Sequence, residues 1–140
     1  DCEILAKNET VATLLPGAYY CLQEKQKPPV AALIASGVPI AIATDSNPGS
    51  SPIVSLLLAA NMACNLFGLT PEQSFAAITR NAARALGMLT SRGTIESGKL
   101  ADFAVFEAAS PVELLYALGA NPCCQVYKNG EAVFGEPKRD

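Results

Sequence analysis

The chain has 140 residues, the length of one ordinary domain. Half of them are hydrophobic and 16% are charged, against roughly 25% charged in an average soluble domain, so the chain reads as material that lies inside something larger. A net charge of −3 argues against a nucleic-acid partner, and the absence of histidine excludes Ser-His-Asp catalysis, Cys-His catalysis and any histidine-based metal site built by this chain alone.

In chain order, the apolar run Thr10 to Leu15 stops at Pro16-Gly17 and predicts a buried strand. Tyr19 to Glu24 suits a short helical turn, and Lys25 to Lys27 is solvated. Pro28-Pro29 opens a helix that runs to Gly37. Val38 to Thr44 is unbroken and apolar, which predicts a strand buried on both faces, of the parallel kind. A polar turn follows, then an apolar helix over about 52–67, with Ser51 as N-cap and Pro52 at its first position. Thr70-Pro71-Glu72-Gln73 is a capping box. Its helix carries Phe75, Ile78, Ala82 and Leu86 on one stripe and ends at Gly87. Beyond it, residues 101–106 predict a strand and 111–118 a short helix. Asn129-Gly130, between two apolar runs, predicts a hairpin with a type I′ turn. A boundary near 88–92 separates an α/β piece from a mostly β piece.

Between Pro28 and Pro71 the one charged side chain is Asp45. Prolines, glycine and asparagines interrupt this stretch, so a buried soluble core suits it better than a membrane span. The five cysteines are irregularly spaced and form no CxxC. Free thiols in a reducing compartment fit best, and no secretory signal opens the chain. It begins without Met, as an expression product, a processed product or a fragment would.

Asp45 follows the buried strand at its C-terminal end, where ligands bind in α/β sheets. A lone carboxylate in apolar surroundings needs a cation, a metal or a distant basic group. The alternative is a turn residue bonded to the backbone of Asn47. The stiff loop Ser46 to Pro52 offers backbone N–H groups for a polar or anionic ligand, or simply connects strand to helix. Arg80 and Arg84, one turn apart, suit an acid or a solvated face. Cys123-Cys124 lacks a basic neighbour and reads as structural. Tyr19-Tyr20 reads as a pocket wall or as aromatic packing.

These residues carry a resemblance. VPIAIATDSNPGSSP (38–52) and TVATLLPGAYY (10–20) resemble imidazolonepropionase, a family of the metal-dependent amidohydrolases. Residues 69–87 and 93–106 resemble the superfamily's general C-terminal pattern. The resemblance implies an α/β fold, the C-terminal part of a TIM-like (β/α)8 barrel with strands of a small β-sandwich. Residues 1–88 would supply the last two barrel strands and flanking helices, and 89–140 the sandwich segment. It implies hydrolysis of 4-imidazolone-5-propanoate, a small-molecule substrate, to N-formimidoyl-L-glutamate in histidine degradation. Asp45 matches the ligand of a single zinc or iron and the group that handles the proton of the attacking water. Asn47, Gly49 and Ser50 match substrate-contacting positions. The family's histidine ligands and earlier strands are missing, so the chain alone is expected to be inactive. Its two barrel strands need the missing N-terminal part, or a second copy, to cover them. A cytoplasmic homodimer with neither membrane nor nucleic acid as partner is the family's implied setting. The alternatives are another amidohydrolase, such as a guanine deaminase-like aminohydrolase, and a non-catalytic association module.

Overall fold

The computed structural model describes residues 2–135. Among them the apolar runs of the first third build a strand–helix–helix–strand unit. Strand β1 (Ala12–Leu14) is half-buried rather than buried as expected, and after Leu15 the proline Pro16 opens helix α2 (Pro16–Cys21) from its first position. Helix α3 (Val30–Ala35) ends in a Schellman turn. There Gly37, at φ +73°, lets Val38 N–H reach Leu33 O at 2.9 Å and Gly37 N–H reach Ile34 O at 3.0 Å. The turn brings the buried side chains of Leu33 and Val38 into one core. Strand β2 (Ile40–Ile42) follows, buried throughout, and pairs with β1 in parallel, Ala12 opposite Ile40 and Leu14 opposite Ile42. The expected parallel strand is present but shorter than 38–44.

Helix α1 (Cys2–Lys7) precedes this unit. It buries no residue fully, although Cys2, Leu5 and Ala6 pack against the core.

Helix α4 (Leu56–Phe67) starts four residues later than expected. Its N-cap is Ser55, whose Oγ accepts from Leu58 N–H at 3.2 Å, not Ser51. Ala59 and Ala63 lie a turn apart with no exposure. Such small side chains let α4 close on helix α5 (Pro71–Ile78), where Ala77 and Ser74 are equally buried. The Ser74 hydroxyl lies 3.0 Å from Cys64 Sγ of α4.

The capping box of α5 forms as expected: Thr70 Oγ1 accepts from Gln73 N–H, and Gln73 Oε1 accepts from Thr70 N–H. The helix does not run to Gly87. It breaks at Thr79 (φ −120°, ψ −93°), and helix α6 (Arg80–Ala85) begins beyond the break. Thr79 Oγ1 donates to Phe75 O at 2.6 Å, competing with the helical ladder. The break turns the buried stripe: Ala83 goes inward and Leu86 is 71% exposed.

The last third forms a three-stranded antiparallel sheet, β3 (Phe103–Phe106), β4 (Cys123–Lys128) and β5 (Glu131–Phe134), in the order β3-β4-β5. Asn129 (φ 53°) and Gly130 (φ 83°) make the β4–β5 turn, both with the positive φ a type I′ turn requires. Asp102 fastens this turn to the root of β3: its Oδ1 accepts from Asn129 N–H at 2.8 Å and its Oδ2 from Arg92 Nε at 2.6 Å. Phe103 stacks on Tyr127, with ring centroids 4.7 Å apart. Helix α7 (Pro111–Tyr116) lies between β3 and β4 in the chain and turns back to α4, where buried Asn61 donates its Nδ2–H to Leu115 O.

Candidate functional site at the end of strand β2

Parallel pairing puts the C-terminal ends of β1 and β2 on one side. The loop after β2, residues 45–51, and the Leu15-Pro16-Gly17 turn after β1 therefore emerge together. Asp45 turns the chain out of the strand at φ +50°, a left-handed conformation that Asp tolerates better than most residues. This turn carries Asp45 outward, so its side chain is exposed among the described residues. The expected burial of a lone carboxylate is corrected.

Asn47 organises the loop. Its Nδ2 donates to Asp45 O at 2.6 Å and lies 3.4 Å from Asp45 Oδ2. Its Oδ1 accepts from Gly49 N–H at 2.9 Å and Ser50 N–H at 2.8 Å. Ser50 Oγ lies within 3.2 Å of the same amide oxygen. The backbone N–H of Asn47 donates to Ser51 O at 2.9 Å, closing a small antiparallel bridge. Asp45, Asn47, Gly49 and Ser50 thus share one braced turn. The expectation of free backbone N–H groups ahead of a helix is also corrected: Asn47 occupies those of Gly49 and Ser50, and α4 begins farther on. The turn-residue alternative takes a different form, because the Asp45 carboxylate meets the Asn47 side chain rather than its backbone.

Sequence reasoning misses the role of Ser51. This serine has no exposure, and its Oγ donates to Thr44 O at 2.6 Å. The Ser-Pro pair looks like a helix start, which conceals that use. The other candidates lie elsewhere. Tyr19 packs edge-on against Phe67, with centroids 5.2 Å apart, and lines an open groove with Leu14, Leu22 and Lys27 that excludes the Asp45 loop. Arg84 faces Glu9 at 3.5 Å, and Arg80 is exposed. Cys123 and Cys124 lie in β4, and Cys124 Sγ–H points to Val105 O at 3.3 Å. All five cysteines are free.

Among the described residues, three carboxyl groups are held below their ordinary range. Asp102 is lowered chiefly by the Asn129 N–H and then by Arg92, Glu96 chiefly by Lys99, and Glu72 by its own backbone N–H and the Thr70 hydroxyl.

A carboxylate oxygen suits zinc or iron as one donor among several. No cluster of three or more His, Cys, Asp or Glu side chains able to hold an ion occurs among the described residues. The donors among the described residues do not by themselves make a metal site. Among the same residues, no helix is long and apolar enough to cross a membrane.

Comparison with known proteins bears on the loop's setting. The chain is 53% identical to imidazolonepropionase of Shewanella sp. (strain ANA-3), over 92% of its own length and 32% of the relative's. It is 57% identical to imidazolonepropionase of Maricaulis maris (strain MCS10), over 94% of its length and 32% of the relative's. The chain thus spans about a third of the length of the curated relatives it matches. Among solved structures it resembles a zinc-bound adenosine deaminase from Xanthomonas campestris, with a TM-score of 0.84 at 22% identity, over 99% of this chain and 36% of that one. It also resembles E. coli guanine deaminase, with a TM-score of 0.78 at 19% identity, over 97% and 36%. These likenesses show a shared amidohydrolase fold of mixed helix and strand. The family profile described as "Amidohydrolase family" matches residues 11–134, and the chain belongs to that family.

Proposed function

We propose that the chain is the C-terminal segment of an imidazolonepropionase. The observation that carries this reading is its 53% identity, over 92% of its length, to a protein of that name. In the longer protein, residues 1–88 would complete a (β/α)8 barrel and residues 89–140 a composite sandwich. The reaction is addition of water across the cyclic amide C–N bond of 4-imidazolone-5-propanoate. It opens the ring to N-formimidoyl-L-glutamate, a step of histidine degradation.

In this reading the Asp45 carboxylate faces the attacking water and takes its proton as the C–O bond forms. Asn47, Gly49 and Ser50 present one rim of polar groups to the substrate. That role is supported by their clustering within a single braced turn beside Asp45. Asp45 would be one ligand of a zinc or iron ion whose other donors lie outside this chain. The complete protein is proposed to work as a cytoplasmic homodimer.

The test is an assay of the full-length protein on 4-imidazolone-5-propanoate and, separately, on guanine. Loss of the imidazolone with appearance of N-formimidoyl-L-glutamate is the expected result. Release of ammonia from guanine, with the imidazolone untouched, would assign the chain to the aminohydrolases instead.

A further inference from the structure

We propose that Ser51, seated beneath Gly17, is a positioning residue that sets the Asp45–Ser50 turn; its catalytic consequence rests on the function proposed above. Three observations lead there. Ser51 has no exposure, and its Oγ donates to Thr44 O at 2.6 Å, joining the residue before the turn to the residue after it. The carbonyl of the same serine accepts from Asn47 N–H at 2.9 Å, so one residue holds both the base of the turn and its organising asparagine.

The third observation is Gly17. It lies within α2, and its φ is not among the positive ones. Its backbone therefore has no need of glycine, and glycine inside a helix is costlier than alanine. Space supplies the reason: a methyl group there would overlap Ser51 Oγ and come within 2.9 Å of Ile53 Cδ1. The hydroxyl is wedged between the end of β2 and the first turn of α2. The loop after β1 and the loop after β2 are thereby set against each other, most tightly at this oxygen atom. Removing that oxygen frees the turn at its base while leaving the Asn47 bonds inside it possible.

The experiment compares the full-length protein with Ser51→Ala, Gly17→Ala and the double variant. Hydrogen exchange at residues 45–51, kcat and KM on 4-imidazolone-5-propanoate, and Tm are measured on each. Exchange at Asn47 and Ser50 should quicken in both single variants, and kcat/KM should fall about 10–100-fold, as for loss of a residue that orients a working group. The loss in the double variant should fall short of the sum of the single losses, because the tightest Gly17→Ala overlap is with the Ser51 oxygen. Unchanged exchange in Ser51→Ala overturns the proposal whatever the substrate, and this variant decides alone if Gly17→Ala does not fold. Faster exchange and a lower Tm with kcat and KM unchanged also overturn it, leaving a merely structural contact. Additive losses in the double variant overturn the link to Gly17. A wild-type protein inactive on the imidazolone overturns the substrate reading alone, and the exchange data then decide the clamp.

Discussion

Asn81 of α6 donates its Nδ2–H to the carbonyl oxygen of Ile40, 2.8 Å away, on the edge of β2 that β1 does not use. Ladder bonds to β1 fall on Pro39 O and Ala43 N–H, so the Ile40 carbonyl points to the other side. Ile40 is buried, and a buried carbonyl without a donor is costly.

Asn81→Ala therefore strands that carbonyl. It should cost about 1–3 kcal/mol. A lower denaturation midpoint of the full-length protein, with unchanged KM, is the expected result. An unchanged midpoint would mean that water or another donor takes the place of the amide.

Asp45→Asn keeps the shape of the side chain and removes its charge and basic oxygen. In the full-length enzyme kcat should fall by at least about 10²-fold, the lower end for loss of general-base help. Folding should persist, because no bond from a backbone N–H to this carboxylate occurs among the described residues. Near-normal turnover at full metal content would leave Asp45 as a turn residue.

The 140-residue chain by itself should not hydrolyse the imidazolone, with or without added Zn²⁺ or Fe. One exposed carboxylate does not hold a catalytic ion, and the chain has no histidine. Turnover above a metal-only control by the purified chain would refute this.

Acid should loosen the β3–β4–β5 sheet through Asp102. Its folded-state pKa lies below the ordinary carboxylate value, so its stabilising effect is complete above that value. The effect fades as the pH falls through the lowered folded-state pKa. Tm should therefore drop more steeply with acid in the wild type than in Asp102→Asn, which keeps an acceptor for Asn129 but no charge for Arg92. Parallel Tm–pH curves would show that other groups govern the acid limit.

Elements with strong local chemistry are legible from the sequence. Thr70-Pro71-Glu72-Gln73 specifies its own box, Gly37 its own stop and Asn129-Gly130 its own turn. The misses share one cause: a side chain spends its bonding capacity on a backbone carbonyl that sequence pattern does not point to. Ser51 looks like an N-cap, but its hydroxyl goes to Thr44, and Ser55 caps instead. Thr79 has no glycine or proline beside it, yet its hydroxyl on Phe75 O accompanies a helix break. A turn does follow the apolar strand, where the sequence places one. The exposure of Asp45 is not legible, because it depends on one positive φ held by the Asn47 amide.

The two sheets also differ in how far apart along the chain their partners lie. Lys128 meets Glu131 across Asn129-Gly130, whereas Ala12 meets Ile40 only after all of α2 and α3 has been placed. A two-residue turn closes in about 1–10 μs, while long-range parallel pairing waits for its crossover. The β4–β5 hairpin is thus expected to be protected early in a refolding experiment followed by pulsed hydrogen exchange, and β2 late. During that delay β2, the one described strand that ends up buried throughout, stands unpaired, and dilution or a chaperone should raise the refolding yield more than any stabilisation of the hairpin. An equal yield at high and low protein concentration would count against this order.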